Sequence, residues 1–112
     1  TDKDFNIGET ADIIKNNSIP KSFMLLYNYP NPFNPETTIR YSTNFDGNVI
    51  IKIYNMVGEL IKNVDHGYRN TGFHNFKWDG LNHSNKPVPG GVYIYNAQSD
   101  GNIKYGKMLL IK

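Results

Sequence analysis

Three histidines, His66, His74 and His83, stand 8 and 9 residues apart and are the first side chains whose chemistry must be weighed. A metal held on strands draws more often on a His-x-His pair, and the chain has no cysteine to complete a zinc set. Each histidine is therefore expected on the surface or in a turn. Calcium is the second candidate. Asp2, Asp4 and Asn6 match the first three ligand positions of a calcium loop, but Gly8 comes one place late and Ile13 stands where the bidentate carboxylate belongs. That ligand set is incomplete. Ser18, Ser22, Ser42, Ser84 and Ser99 lie in no Gly-x-Ser-x-Gly elbow. Gly90-Gly91 opens a strand pattern rather than a helix, so it makes no phosphate loop. Asp79, between Trp78 and Gly80, suits a turn in which its carboxylate accepts the backbone N–H two residues on. The residues thus predict no enzyme, no metal site and no cofactor.

Composition bounds the rest. With 112 residues there is room for one domain and a short tail, since domains commonly run about 100–150 residues. Eight Tyr and six Phe within a hydrophobic content of 38% favour strands around a small core. A formal charge of +2, with lysines scattered singly, is too small to imply a nucleic acid or a membrane surface as partner. No run approaches the roughly 18 apolar residues that span a bilayer. The lack of cysteine removes disulfides and thiol chemistry without naming a compartment. Without a starting Met or a signal-like apolar run, the chain reads as a piece of a longer precursor.

The element that organises the chain runs from Asn28 to Tyr41. Pro30, Pro32 and Pro35 fall within six residues, where each fixes φ and removes an N–H donor, so this stretch is neither a helix interior nor a ladder strand. Asn28, Asn31 and Asn34 stand beside the prolines, and such side chains bond the backbone two residues on. The segment is predicted to be a rigid crossover, anchored by Tyr29 and Phe33, that delivers the chain into a strand near Thr37. Ahead of it, residues 1–21 read as a linker or the remnant of an upstream module, and 22–112 as the domain.

Within that domain the pattern gives Phe23–Tyr27, Thr38–Ser42, Val49–Tyr54, Glu59–Val64, Phe73–Trp78, Gly91–Ala97 and Ile103–Ile111 as strands. Asp46-Gly47 and Asp100-Gly101 are read as tight hairpin turns, Asn55-Met56-Val57-Gly58 as another turn, and Gly67 to Gly72 as a polar loop. No segment sustains a helical period. The prediction is an all-β fold, a seven-stranded immunoglobulin-like antiparallel β-sandwich, with Trp78 and the Tyr/Phe set doing the work that a disulfide does elsewhere. In the terminal strand Met108 and Leu110 share one face, and Lys107, Leu109 and Ile111 the other. Apolar residues on both faces imply that the second face meets a partner or is covered by the crossover at Tyr29 to Phe33.

Four pieces then occur in a familiar order: Tyr29-Pro30-Asn31-Pro32-Phe33-Asn34-Pro35-Glu36-Thr37, Val49 to Gly58, Trp78-Asp79-Gly80, and Gly91-Val92-Tyr93 followed by Tyr105-Gly106-Lys107-Met108-Leu109. Together they resemble the type A C-terminal sorting domain of the type IX secretion system, which is similar to the immunoglobulin-like domain of the flagellar hook-capping protein. The resemblance covers residues 20–112. It implies a non-catalytic address that carries an attached upstream cargo across the periplasm and through the outer-membrane translocon of Bacteroidetes-like bacteria. Delivery to the cell surface or the medium follows, and in many members the domain is then cleaved off. Implied partners are the translocon and its outer-membrane shuttle or sortase components. By motif matching, the recognition positions are Pro30, Asn31, Pro32, Tyr54, Asn55, Gly58, Gly91, Tyr93, Gly106 and Lys107; Leu109 and Ile111 join them as the outward apolar pair. Asn55 stands where this motif commonly has Asp. The runner-up is a structural or adhesive immunoglobulin-like module of the hook-cap type.

Overall fold

The computed structural model describes residues 20–112. The calcium-like spacing, and all but the last two residues of the expected linker, lie outside them. The chain forms β1 (Phe23–Tyr29), β2 (Thr37–Thr43), β3 (Gly47–Asn55), β4 (Leu60–Arg69), β5 (Gly72–Trp78), β6 (Gly91–Ser99) and β7 (Asn102–Leu110). β1, β2 and β5 make a three-stranded sheet, and β4, β3, β6 and β7 a four-stranded one, each in the order written. All named pairs are antiparallel. The expected seven-stranded sandwich is the fold.

Period-2 alternation builds the core between the sheets. Ile39 and Tyr41 of β2, Val49, Ile51 and Ile53 of β3, Tyr93, Tyr95 and Ala97 of β6, and Met108 and Leu110 of β7 all point inward and are buried. Trp78 is 1% exposed and touches both flanks, with ring centroids 5.8 Å from Phe33 and 5.6 Å from Tyr93. Its indole N–H donates to the Leu81 carbonyl at 2.9 Å, which satisfies the one polar atom it carries inside.

Three expectations need correction. Asp46-Gly47 is not a hairpin: β2 and β3 lie in different sheets, and the dipeptide turns the corner between them. Gly47 takes no positive φ, whereas Asp100 and Gly101, in the true β6–β7 hairpin, have φ of 51° and 85°. What holds the corner is the Asp46 carboxylate, which accepts the Thr71 N–H at 2.6 Å and its hydroxyl at 3.0 Å, tying the β2–β3 crossing to the β4–β5 crossing. Those bonds lower the Asp46 pKa, the backbone one most. Secondly, β4 does not stop at Val64. It runs through Gly67, which sits at φ 82° beside a register shift between Val49 and Ile50, to Arg69. Thirdly, Tyr29 is no anchor; it is 75% exposed, while Phe33 is buried at 2%.

Candidate functional site

The proline crossover earns its shape from side chains that take over backbone duties. Phe33 forms a one-residue parallel bridge to Leu110: its N–H bonds the Leu109 carbonyl at 2.9 Å, and its carbonyl accepts the Ile111 N–H at 2.9 Å. One step earlier, the Asn31 amide does the same work, donating to the Lys107 carbonyl at 3.2 Å and accepting the Leu109 N–H at 3.0 Å. The edge of β7 is therefore sealed by the crossover from Lys107 onward, although prolines on either side offer no donors. The three Xaa-Pro bonds are cis.

Beneath the crossover lies buried Asn28, which sequence reasoning passes over as one more turn former. Its amide donates to the Thr37 hydroxyl at 3.1 Å, and its carbonyl oxygen accepts from Tyr95 O–H at 3.1 Å and from Asn31 at 3.3 Å. Thr37 in turn donates to the Pro30 carbonyl at 2.8 Å. Burial pushes the Tyr95 phenol up to about 12, so it stays a donor in this network. Gly106 explains how Tyr95 reaches Asn28. The two residues are register partners on β6 and β7, and a Cβ at Gly106 would lie within the space of the Tyr95 ring.

The turn after β3 is closed in a similar way. The Asn55 carbonyl oxygen accepts the N–H groups of Val57 at 3.1 Å and Glu59 at 2.9 Å, and its amide donates to the Glu59 carboxylate at 2.6 Å. An Asp could make the first two contacts but would face Glu59 charge against charge. Gly58 completes the turn at φ 89°. Tyr54 pairs with Ile94, and Asn55 with Tyr93, whose hydroxyl donates to the Pro89 carbonyl at 2.5 Å. Between this turn and Gly91 is an uncharged hollow of about 280 Å³, lined by Met56, Val57, Ile61 and Val92 among others.

The matched residues thus gather mainly at one pole. Pro30, Asn31 and Pro32 meet Lys107, Leu109 and Ile111; on the neighbouring strands Tyr54, Asn55 and Gly58 meet Gly91 and Tyr93; Gly106 lies further along β7. Asn31, Asn55, Gly58 and Gly106 have structural tasks there. Lys107, Leu109 at 38% exposure and Ile111 at 47% are left facing out, with Ile103 and Tyr105 on the same face of β7. The crossover covers the edge of β7, not this face.

The three histidines do not converge: His66 and His74 both pack against the Tyr41 ring, with centroids 5.8 and 5.5 Å from it, and His83 stands apart. His66 Nδ1 is 2.7 Å from the Tyr41 hydroxyl between the sheets, which is neither a surface nor a turn position. Burial first, and then Arg69 and His74, hold the His66 pKa below its ordinary value, against the Asn75 backbone carbonyl, which raises it. His74 contacts the Asn70 carbonyl at 2.6 Å, and His83 the Ile61 carbonyl at 3.2 Å. Asp79 accepts the Leu81 N–H at 3.1 Å, the turn role expected of it.

Residues 36–102 match the family described as the FlgD Ig-like domain. The chain belongs to that family. No curated protein matches it. Among solved structures, latent dimeric PorU from Porphyromonas gingivalis is similar with a TM-score of 0.67 at 23% identity, over 85% of this chain and 10% of PorU. PorZ from the same organism, described as an essential surface component of its type-IX secretion system, gives 0.57 at 22%, over 78% of this chain and 11% of PorZ. FlgD from P. aeruginosa gives 0.57 at 24% identity, over 64% of this chain and 60% of that one. This chain therefore spans about a tenth of PorU and PorZ. Those identities carry the shared fold and no more.

Proposed function

We propose that the chain is a non-catalytic sorting domain, an address that directs a covalently attached upstream cargo through the type IX outer-membrane translocon. Cargo and domain cross the periplasm together and reach the cell surface or the medium. The observation that carries this reading is the outward face of β7, where Lys107, Leu109 and Ile111 stand exposed beside a sealed strand edge. With the edge closed, a translocon, shuttle or sortase component can read β7 through side chains rather than by pairing with its backbone. An apolar pair with a cation at its margin suits a shallow hydrophobic contact oriented by a carboxylate. The likeness of the fold to domains of PorU and PorZ supports the same system.

The test is a reporter fused ahead of this domain in a type IX-competent host. The unaltered fusion is expected at the surface. A Lys107→Ala/Leu109→Ser fusion is expected to accumulate in the periplasm, while the purified domain keeps its Tm. Surface delivery by that folded double variant would remove the β7 face from the proposal. Failure of the unaltered fusion to leave the periplasm would favour the second reading, a structural immunoglobulin-like module of the hook-cap kind, for which the family match itself speaks.

A further inference from the structure

The edges of a β-sandwich are where it is open to other chains, because one row of backbone donors and acceptors lacks a partner there. The two sheets end in β1, β5, β4 and β7, and these edges are not treated alike. β7 is sealed by Asn31 and Phe33 from Lys107 onward. β4 is broken by two register shifts against β3, and its Ile61 carbonyl is taken by the His83 N–H at 3.0 Å. β1 carries a register shift between Phe23 and Leu25 and lies across from β7. β5 has none of these defences. It pairs with β2 in unbroken register from Gly72 to Trp78, and among the described residues no backbone–backbone hydrogen bond is made on its other side, the one contact being that of the His66 ring with the Asn75 carbonyl.

Two further observations point the same way. The sheet holding β5 stops at three strands, whereas the facing sheet has four. The inward side chains on this flank are left half-buried: Phe76 of β5, and Val64 and His66 of β4, with the Phe76 and His66 rings 5.6 Å apart. The strands of this sheet also carry charge of one sign: β1, β2 and β5 contain Arg40 and Lys77 and no acidic residue. Carboxylates stand around them rather than on them: Asp46 is held at Thr71 ahead of β5, Asp79 follows β5, and Asp65 lies on β4 among Lys62 and Arg69. Glu36 is 3.8 Å from Lys77 with both side chains more than half exposed, an arrangement that neutralises little.

We propose that the free edge of β5 accepts an extended segment of a partner protein as a fourth strand, apolar on its inward side chains and acidic on its outward ones. Backbone pairing supplies much of the affinity, and alternate side chains set the choice of partner. Inward residues cover Phe76 and Val64; outward carboxylates meet Arg40 and Lys77. The inference holds for a sorting domain and for a hook-cap module alike, because it rests on the edge and its charge alone.

The test uses the 112-residue chain and a synthetic peptide about twelve residues long, alternating valine with glutamate, beside its valine–lysine counterpart. Amide hydrogen exchange read by NMR is expected to show the alternate β5 amides that point away from β2 exchanging fast in the free chain and slowing about tenfold or more with the glutamate peptide. The lysine peptide is expected to bind several-fold more weakly. An Arg40→Glu/Lys77→Glu chain should invert that order. Four results would each overturn the proposal: the β5 amides that point away from β2 already protected in the free chain, exchange at those amides unchanged with the peptide in large excess, protection falling on another edge, or equal binding of both peptides to the unaltered chain.

Discussion

Asn31 shows how much a single amide can carry. It replaces a strand residue by bonding Lys107 and Leu109 through its side chain and also donates to Asn28, so Asn31→Ala removes three hydrogen bonds and is expected to lower stability by about 1–3 kcal/mol, read as a shift in the urea midpoint. Asn31→Asp keeps the acceptor but sets a carboxylate against the Lys107 carbonyl, so it should not recover the loss. His66 makes a different kind of prediction. Its folded-state pKa lies below the ordinary 6.5, so the unfolded chain takes up the proton first. Stability present above about pH 6.5 is then lost as pH falls through the folded value. A pH series of urea midpoints should show that loss, and His66→Gln should flatten it. At the alkaline end the sign reverses. Tyr41 and Tyr95 are raised by burial to about 12 from 10.0, so their contribution is complete below pH 10 and disappears as pH rises towards 12. These two tyrosines, and Tyr93, which burial also raises, should accordingly titrate late in ultraviolet absorbance, and only while the chain is folded.

Among elements, the two Asp-Gly pairs mark the reach of sequence reading. Asp100-Gly101 is a hairpin and Asp46-Gly47 a corner, although both dipeptides sit between strands. The turn type depends on whether the flanking strands share a sheet, and a dipeptide says nothing of that. Thr71, 25 residues away, decides it by binding Asp46. Strand alternation was legible because it is local: the inward sets of β3, β6 and β7 follow from period 2 alone. The outward exposure of Leu109 and Ile111 follows from the same alternation. Anchoring was not, because Tyr29 and Phe33 look alike in sequence while only Phe33 meets Trp78. Gly106 has the same non-local origin, its size being set by the Tyr95 ring across the ladder. Gly106→Ala should therefore cost about 1–3 kcal/mol through overpacking. Combining it with Tyr95→Leu should cost less than the two losses added, a coupling measurable in a double-mutant cycle.

For the whole molecule, Trp78 is the side chain on which both sheets and the crossover converge. Trp78→Ala is expected to remove about 3–5 kcal/mol, a large share of the 5–15 kcal/mol typical of such a domain. A urea midpoint that hardly moves would contradict that central position. The seal on β7 has a consequence in time. Asn31 and Lys107 are separated by 76 positions, yet each lacks its partner until the other is present. A chain that is synthesised or threaded from its N-terminal side exposes the crossover long before β7 exists to receive it. Closing so long a loop is slow, and until it closes Phe33 has no strand to bridge and Asn31 has neither the Lys107 carbonyl nor the Leu109 N–H to bond. The domain cannot finish itself piecemeal. Its completion is a checkpoint on chain length, reached only when β7 has arrived.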